Sequence, residues 1–158
     1  CAKYRKGHFE GVLDVMGRLT NLIKPKKIFM GKKDYQQYFL IKNYLKNKYK
    51  TSIIPCKTIR DKNKIALSSR NNHLKLNGIK KASFLSKSLL KLKRNLVNSK
   101  KIKQNLKIQI NYFEKLLKIK IEYLELRSIK NLKISNTVRG SRLFVAYYIE
   151  NVRLIDNF

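Results

Sequence analysis

Phe9, Val12, Leu13, Met16, Leu19 and Ile23 recur at intervals of three and four, so the chain's first stretch predicts an amphipathic helix, closed by Pro25. Lys27 to Met30 then reads as a short apolar strand ending at Gly31. A second helical period runs from about Asp34 to Lys48, with Tyr38, Ile41, Leu45 and Tyr49 on one side, and Ser52 to Pro55 reads as a second strand. Helix, strand, helix, strand at this spacing is the rhythm of a parallel α/β sheet. Thr58 to Asn72 is polar and loop-like, and beyond it the rhythm changes. Ile79, Ala82, Leu85, Leu89, Leu92 and Leu96 mark one helix; Ile102, Leu106, Gln109, Phe113 and Leu116 mark another, with Asn98-Ser99 as the break. Three strand candidates follow at Ile119–Leu126, Leu143–Ile149 and Val152–Ile155. A helix pair followed by a small sheet reads as a separate α+β domain, so a boundary is expected near Ile59 or Arg60, giving domains of 1–59 and 60–158. Two strands and two helices cannot cover both faces of a parallel sheet. Additional chain is therefore expected to complete the first domain.

The 158 residues are 43% hydrophobic, enough for a packed core. Charge is the extreme feature, with 38 Lys and Arg against 9 Asp and Glu, a formal net of +29. That balance raises a basic nucleic-acid-binding protein as the alternative reading. The excess is dispersed, however, and rises together with Asn and Ile while Gly and Pro stay scarce, as AT-rich coding produces. No specific nucleic-acid partner is expected. Cys1 and Cys56 form no disulfide framework, which makes a reducing cytoplasm the expected setting. No apolar run approaches membrane-spanning length. A start at Cys rather than Met is what a fragment would show.

Three segments carry candidate chemistry. In FMGKKDYQQ, a strand runs into Gly31, then Lys32, Lys33 and Asp34, where a helix begins. This places backbone N–H groups and cations at the carboxyl end of a parallel strand, where open α/β sheets bind ligands. The same residues also fit a plain capping box, Asp34 with Gln37. In ALSSRNN, Ser68 and Ser69 can donate to phosphate oxygens, and Arg70 can make two parallel bonds to one phosphate. A serine helix cap with a surface arginine is the alternative. In RKGHFEGV, His8 titrates near neutrality or binds an anion, or is simply structural. His73 has no visible role. The sequence shows no metal-ligand spacing, no Ser/His/Asp arrangement and no glycine-rich P-loop.

Taken in order, GHFEGVLDVMGRLTNLIKP, IFMGKKDYQQ, TIRDKNKIALSSRN, YLELR and RLFVAYYIENVRLIDN resemble the pantothenate synthetase (pantoate–β-alanine ligase) family across essentially all 158 residues. The resemblance implies an α/β fold: the C-terminal part of a Rossmann-like, nucleotidyltransferase-type parallel sheet, followed by a small α+β lid domain bearing the Ser-Ser-Arg loop. It implies an ATP-dependent ligase that joins pantoate to β-alanine through pantoyl adenylate, releasing AMP and pyrophosphate. Magnesium is expected on the ATP phosphates, with no metal ligand from the protein, and the full-length enzyme is expected to be a homodimer.

By matching positions, the resemblance makes Gly31, Lys32, Lys33 and Asp34 the ATP-contacting strand end. Lys33 is the phosphate cation, and Gly31 with Asp34 holds the ribose. Gln37 binds pantoate. Ile59 contacts adenine through main-chain atoms, and Leu67, Ser68, Ser69 and Arg70 form the mobile phosphate loop. Lys33, Ser68, Ser69 and Arg70 are thus the candidate catalytic residues, with Arg5 and His8 near the cleft. Departures are Lys32 for the usual glutamate, Lys57 for proline, Lys64 for glycine and Leu67 for methionine. The family's Met-Gly-Ala-Leu-His-x-Gly-His motif does not occur here. The resemblance therefore implies that these 158 residues by themselves are inactive unless the complementary part is supplied.

Overall fold

The computed structural model describes residues 7–158 apart from Asn47 and Lys100. The chain divides into two compact units, Cys1–Thr58 and Ile59–Phe158.

In the first unit, α1 (His8–Ile23) leads into β1 (Lys27–Gly31), and α2 (Tyr35–Lys46) leads into β2 (Ser52–Cys56). β1 and β2 are parallel, in register from Lys27 opposite Ser52 to Gly31 opposite Cys56. The helix expected from Asp34 starts one residue later, because Lys32–Asp34 forms a separate 3-10 turn, and it ends at Lys46. α2 buries Tyr35, Tyr38, Ile41 and Leu45, while Tyr49, the last position of the expected stripe, lies beyond the helix and is half-buried. α1 packs on α2 more closely than its apolar pattern suggested. Its buried residues are Gly17 and Thr20, and a Cβ at Gly17 would stand 3.0 Å from the Tyr44 hydroxyl. Tyr49 donates its hydroxyl to the Gly17 carbonyl at 3.2 Å, and Thr20 bonds back to Met16 O at 2.6 Å. Leu19 and Ile23, two residues that set the helical period, are exposed instead. Small residues win the contact because they let the helices approach. The connection is tied by Thr51 Oγ1, which donates to Pro25 O at 2.8 Å.

In the second unit, α3 (Leu76–Asn95) and α4 (Ile102–Leu117) precede β3 (Lys120–Ser128), β4 (Ser141–Ile149) and β5 (Val152–Asn157), an antiparallel sheet in that order. β4 lies between its neighbours and buries seven of its nine residues, so it reads as a continuous apolar run rather than an alternation. Its side chains join Ala82, Leu85 and Leu89 of α3 and Leu106 and Phe113 of α4 in one core. The β4–β5 turn is two residues, Glu150 and Asn151, both left-handed (φ 50° and 65°), the geometry that matches strand twist in tight hairpins. Glu150 then reaches the start of α3, where its carboxylate accepts the N–H of Lys75 at 2.8 Å. An anion there satisfies an orphan donor and complements the helix dipole. Gly78 leaves it room, since a Cβ would meet the carboxylate at 3.0 Å. Among the described residues no helix is long and apolar enough to cross a membrane, and no three His, Cys, Asp or Glu side chains gather as a metal site.

Candidate active site

At the carboxyl end of β1, Gly31 is exposed, with φ −67° and ψ 129°. Any residue adopts that conformation, and a Cβ there would meet nothing within 4 Å. Neither backbone strain nor packing within the chain demands glycine. What its bareness provides is close access to the strand end. Lys32–Asp34 then turn the chain into α2. The Lys33 side chain is 20% exposed, with Nζ 3.8 Å from the Asp34 carboxylate, so its stem is held while Asp34 stays half in solvent. Lys32 is half-buried, as is Gln37 one turn further on. The first unit thus brings Gly31, Lys32, Lys33, Asp34 and Gln37 onto one strand end and the following helical turn.

Two buried polar atoms of this unit were not anticipated. Gln36 Oε1 and Thr58 Oγ1 are buried without a hydrogen-bond partner. An unmet buried polar group costs about 1–3 kcal/mol, and the only signal in sequence was a second glutamine beside Gln37. His8 is half-buried at the start of α1, its ring 5.2 Å from that of Phe9. Arg5 lies outside the described residues.

In the second unit the segment read as a loop is a pinned hairpin followed by a helical turn. Arg60 and Ala66 form an antiparallel bridge, flanked by Leu67 N–H to Ile59 O at 3.0 Å and Asp61 N–H to Ile65 O at 2.9 Å. Ile59 and Leu67 therefore stand together, both exposed, with the Ile59 carbonyl already committed to Leu67. Lys64 closes the hairpin at φ 67°, the left-handed region, which explains why glycine suits this position. Its carbonyl accepts from Arg60 Nη1 at 3.0 Å and from Ser86 Oγ at 2.9 Å, so the strained turn is fastened to α3. Lys64→Gly should stabilise this unit by about 1 kcal/mol, the left-handed penalty of roughly 1–2 kcal/mol less the freedom glycine gains on unfolding. A thermal melt of the two proteins checks it, with a rise of several degrees as the expected outcome.

Ser69–His73 forms a 3-10 turn capped by Ser68, whose Oγ accepts the Arg70 N–H at 3.3 Å. The serine-cap alternative is therefore real, and it leaves the Ser68 O–H free to donate elsewhere. Ser69 and Arg70 are exposed. Arg70 Nη1 donates to the Arg153 carbonyl on β5 at 2.9 Å. Arg153 is in turn gripped by Glu122, Nε to Oε2 at 3.0 Å and Nη2 to Oε1 at 2.6 Å, and the Tyr148 hydroxyl joins Oε2 at 3.2 Å. The support beneath the Ser-Ser-Arg turn is thus an ion pair between residues 31 apart, which no short motif reveals.

Hydrogen bonding from Arg153 holds the Glu122 carboxyl below the usual carboxylate range; burial opposes this, and the charge of Arg153 and the Tyr148 hydroxyl reinforce it. A carboxyl depressed in the folded state contributes stability that is present above its unfolded value, about 4.3, and lost as pH falls through the folded value. The stability difference between the parent chain and Glu122→Gln should therefore be constant from pH 7 to about 5 and shrink below that. Denaturant melts at stepped pH read this directly; a difference that grew on acidification would contradict the assignment.

A family model described as Pantoate-beta-alanine ligase matches residues 1–158. The chain is 36% identical to the pantothenate synthetase of Campylobacter hominis, over 97% of this chain and 56% of that protein. It is 40% identical to that of Leptospira interrogans, over 99% and 56%, and 43% identical to a bifunctional pantoate ligase/cytidylate kinase of Prochlorococcus marinus, over 99% and 31%. Among solved structures, pantothenate synthetase from Thermus thermophilus superposes with a TM-score of 0.83 at 29% identity, covering 99% of this chain and 58% of that one. The Francisella tularensis pantoate-beta-alanine ligase, complexed with Beta-gamma ATP and Beta-alanine, gives 0.76 at 35% identity, over 99% and 52%. The match is to the C-terminal portion, so the chain spans about half the length of these synthetases. Its sequence matched throughout and its fold shared with solved members, the chain belongs to the pantoate–β-alanine ligase family.

Proposed function

We propose that this chain carries the C-terminal part of a pantothenate synthetase site that condenses pantoate with β-alanine at the expense of ATP. The observation supporting this most directly is the bare strand end at Gly31 followed by the half-buried Lys33 and the Asp34 carboxylate, in a chain matched to the family throughout. In this reading a pantoate carboxylate oxygen attacks the α-phosphorus of ATP, and the bond to the bridging oxygen breaks, releasing pyrophosphate. The uncharged amine of β-alanine then attacks the acyl carbon of pantoyl adenylate and expels AMP. No protein nucleophile is needed. The protein's task is to align two anions and offset charge growing on the leaving phosphates.

Lys33 supplies a preorganised cation, and Gly31 and Asp34 hold the ribose, Asp34 as acceptor and Gly31 through its open backbone. Gln37 binds pantoate from the next helical turn, with Lys32 adding charge nearby. Ser68, Ser69 and Arg70 bind phosphate oxygens, and Ile59 and Leu67 offer adjoining backbone and apolar surface to the adenine. The resemblance adds Arg5 and His8 as further candidate substrate-binding residues. Magnesium, when bound, screens the triphosphate and sits on phosphate and water. The assembled enzyme is a cytoplasmic homodimer.

The test is pantoate-dependent exchange of labelled pyrophosphate into ATP. This chain is assayed together with the part of the Campylobacter hominis enzyme that it does not match. Exchange that requires pantoate, followed by pantothenate on adding β-alanine, is the expected result. Exchange indifferent to pantoate would sink the substrate assignment. Salt-sensitive RNA binding without any exchange would favour the basic nucleic-acid reading.

A further inference from the structure

α4 buries one apolar stripe and exposes a second. Ile102, Leu106, Phe113 and Leu117 enter the core beside Ala82, Leu85 and Leu89 of α3 and Leu143, Val145 and Tyr147 of β4. Ile108, Tyr112 and Leu116 follow one another at four-residue steps, a single row on the helix surface. They are 55%, 51% and 51% exposed, although the helical period placed Leu116 in the core stripe. A helix already packed on one side needs no second apolar row for its own stability. Three large apolar side chains held together in solvent mark a surface that meets something.

The surroundings of the row say what that is. α3 and α4 pack on the same face of β4, so their remaining sides turn away from the sheet together. That outward layer is cationic. Lys103, Lys107 and Lys115 of α4 are exposed, as is Lys101 at its N-cap. On α3, Lys80, Lys87, Lys91 and Arg94 are exposed, with Phe84 among them. From Leu76 to Leu117 the only carboxylate is Glu114, and it is occupied, accepting the Ile121 N–H at 2.7 Å. Elsewhere in this unit Arg60, Arg127 and Arg153 are ion-paired with Asp156, Glu125 and Glu122. Among the described residues none of these exposed α3 and α4 cations has such a partner.

We propose that the outward side of α3 and α4 docks reversibly on an anionic phospholipid surface. Ile108, Tyr112 and Leu116 enter the boundary between headgroups and acyl chains, and the surrounding lysines meet the headgroup phosphates. A second copy of the chain would set like charge against like charge around the row. A nucleic-acid strand uses cations and stacks on aromatics, but leaves Ile108 and Leu116 in water. A flat anionic interface engages the apolar row and the cations at once, because long lysine side chains reach past the row to the headgroups. No residue of the candidate active site takes part, so this docking stands or falls separately from the ligase reading.

The chain has no Trp, so Tyr112→Trp supplies a single emission that reports on the row. The full 158-residue protein is mixed with vesicles of phosphatidylglycerol and phosphatidylcholine in equal parts, or of phosphatidylcholine alone. The emission should shift to the blue with the anionic vesicles only, and high salt should reverse it. Ile134→Trp, at a 60% exposed position on the β3–β4 connection, should show no shift. Ile108→Ser combined with Leu116→Ser should weaken vesicle partitioning by at least about tenfold, and so should Lys107→Gln combined with Lys115→Gln. Lys130→Gln combined with Lys133→Gln removes equal charge from the exposed β3–β4 connection and should change partitioning little. All these side chains are exposed, and circular dichroism confirms that each variant keeps its fold. Equal losses from both lysine pairs would reduce the effect to overall charge and overturn the proposal. So would a blue shift of Tyr112→Trp without vesicles, whether it follows protein concentration, added single-stranded RNA or the unmatched part of the Campylobacter hominis synthetase. Those outcomes would assign the row to a second copy, a nucleic acid or the rest of a ligase.

Discussion

Lys33→Ala should lower pantoate-dependent adenylation in the assembled enzyme by about a hundredfold to a thousandfold, the usual loss when one preorganised charge-stabilising group is removed. The size of the effect follows from the site's construction. The lysine stem is packed, with 20% of the side chain exposed, and Asp34 stands 3.8 Å from its Nζ, so the cation is placed before substrate arrives. A flexible surface lysine would have to be ordered during the reaction and would contribute far less. Because the developing charge lies on the departing pyrophosphate, the loss should appear mainly in kcat, with a smaller change in KM for ATP. Lys32→Glu, which restores the family's usual residue, is the companion measurement. It reverses a charge near the phosphates, so it should shift KM for ATP more than kcat. Circular dichroism of each variant separates chemistry from folding. Equal rates for Lys33→Ala and the parent would remove Lys33 from the site.

The second large effect is on stability. Asp156→Ala should destabilise the Ile59–Phe158 unit by about 3–5 kcal/mol. Arg60 meets Asp156 through two bonds, Nη1 to Oδ2 at 2.6 Å and Nη2 to Oδ1 at 2.9 Å, with the side chains only 17% and 6% exposed. The guanidinium also donates to the Asn157 carbonyl at 3.3 Å and lies 4.6 Å over the Phe158 ring. Removing the carboxylate strands a desolvated cation whose remaining partners are neutral. At about 4–8 °C per kcal/mol for a unit of this size, the melting temperature falls by some tens of degrees. The paired change Arg60→Met with Asp156→Leu should recover much of the loss, since replacing a buried ion pair by apolar residues of similar volume is often neutral. A double variant as unstable as Asp156→Ala would mean that the pair itself holds the hairpin. Arg60 anchors the hairpin that carries Ile59 and Leu67, so Asp156→Ala should also loosen the approach to Ser68–Arg70.

The sequence was most legible where structure is local. Apolar residues spaced three and four apart report a helix within a turn or two, and α2, α3 and α4 all lie where those intervals placed them. β1 ends at Gly31 as read, and the five short motifs, taken in order, were enough to place the chain in its family because their combination is far more specific than any one of them. The polar stretch before α3 was less legible. Its composition said loop, yet backbone bridges between Arg60 and Ala66 and the Ser68 cap organise it, and hydrogen bonds of this kind leave no period in the pattern.

What sequence determined by itself was therefore the set of elements and their order, because each element depends on residues within a few positions of one another. Only the tertiary structure decided which groups are paired across the chain. Arg60 and Asp156 are separated by 96 residues and Glu122 and Arg153 by 31, and neither pair is visible until the sheet closes. It also decided that Gly17 and Thr20, rather than Leu19 and Ile23, are what α1 buries against its neighbours, and that Lys64 occupies a glycine's conformation. Periodicity records which side of an element is apolar; which side meets a neighbour, and which turn must bend left-handed to let a distant carbonyl be used, is settled by packing.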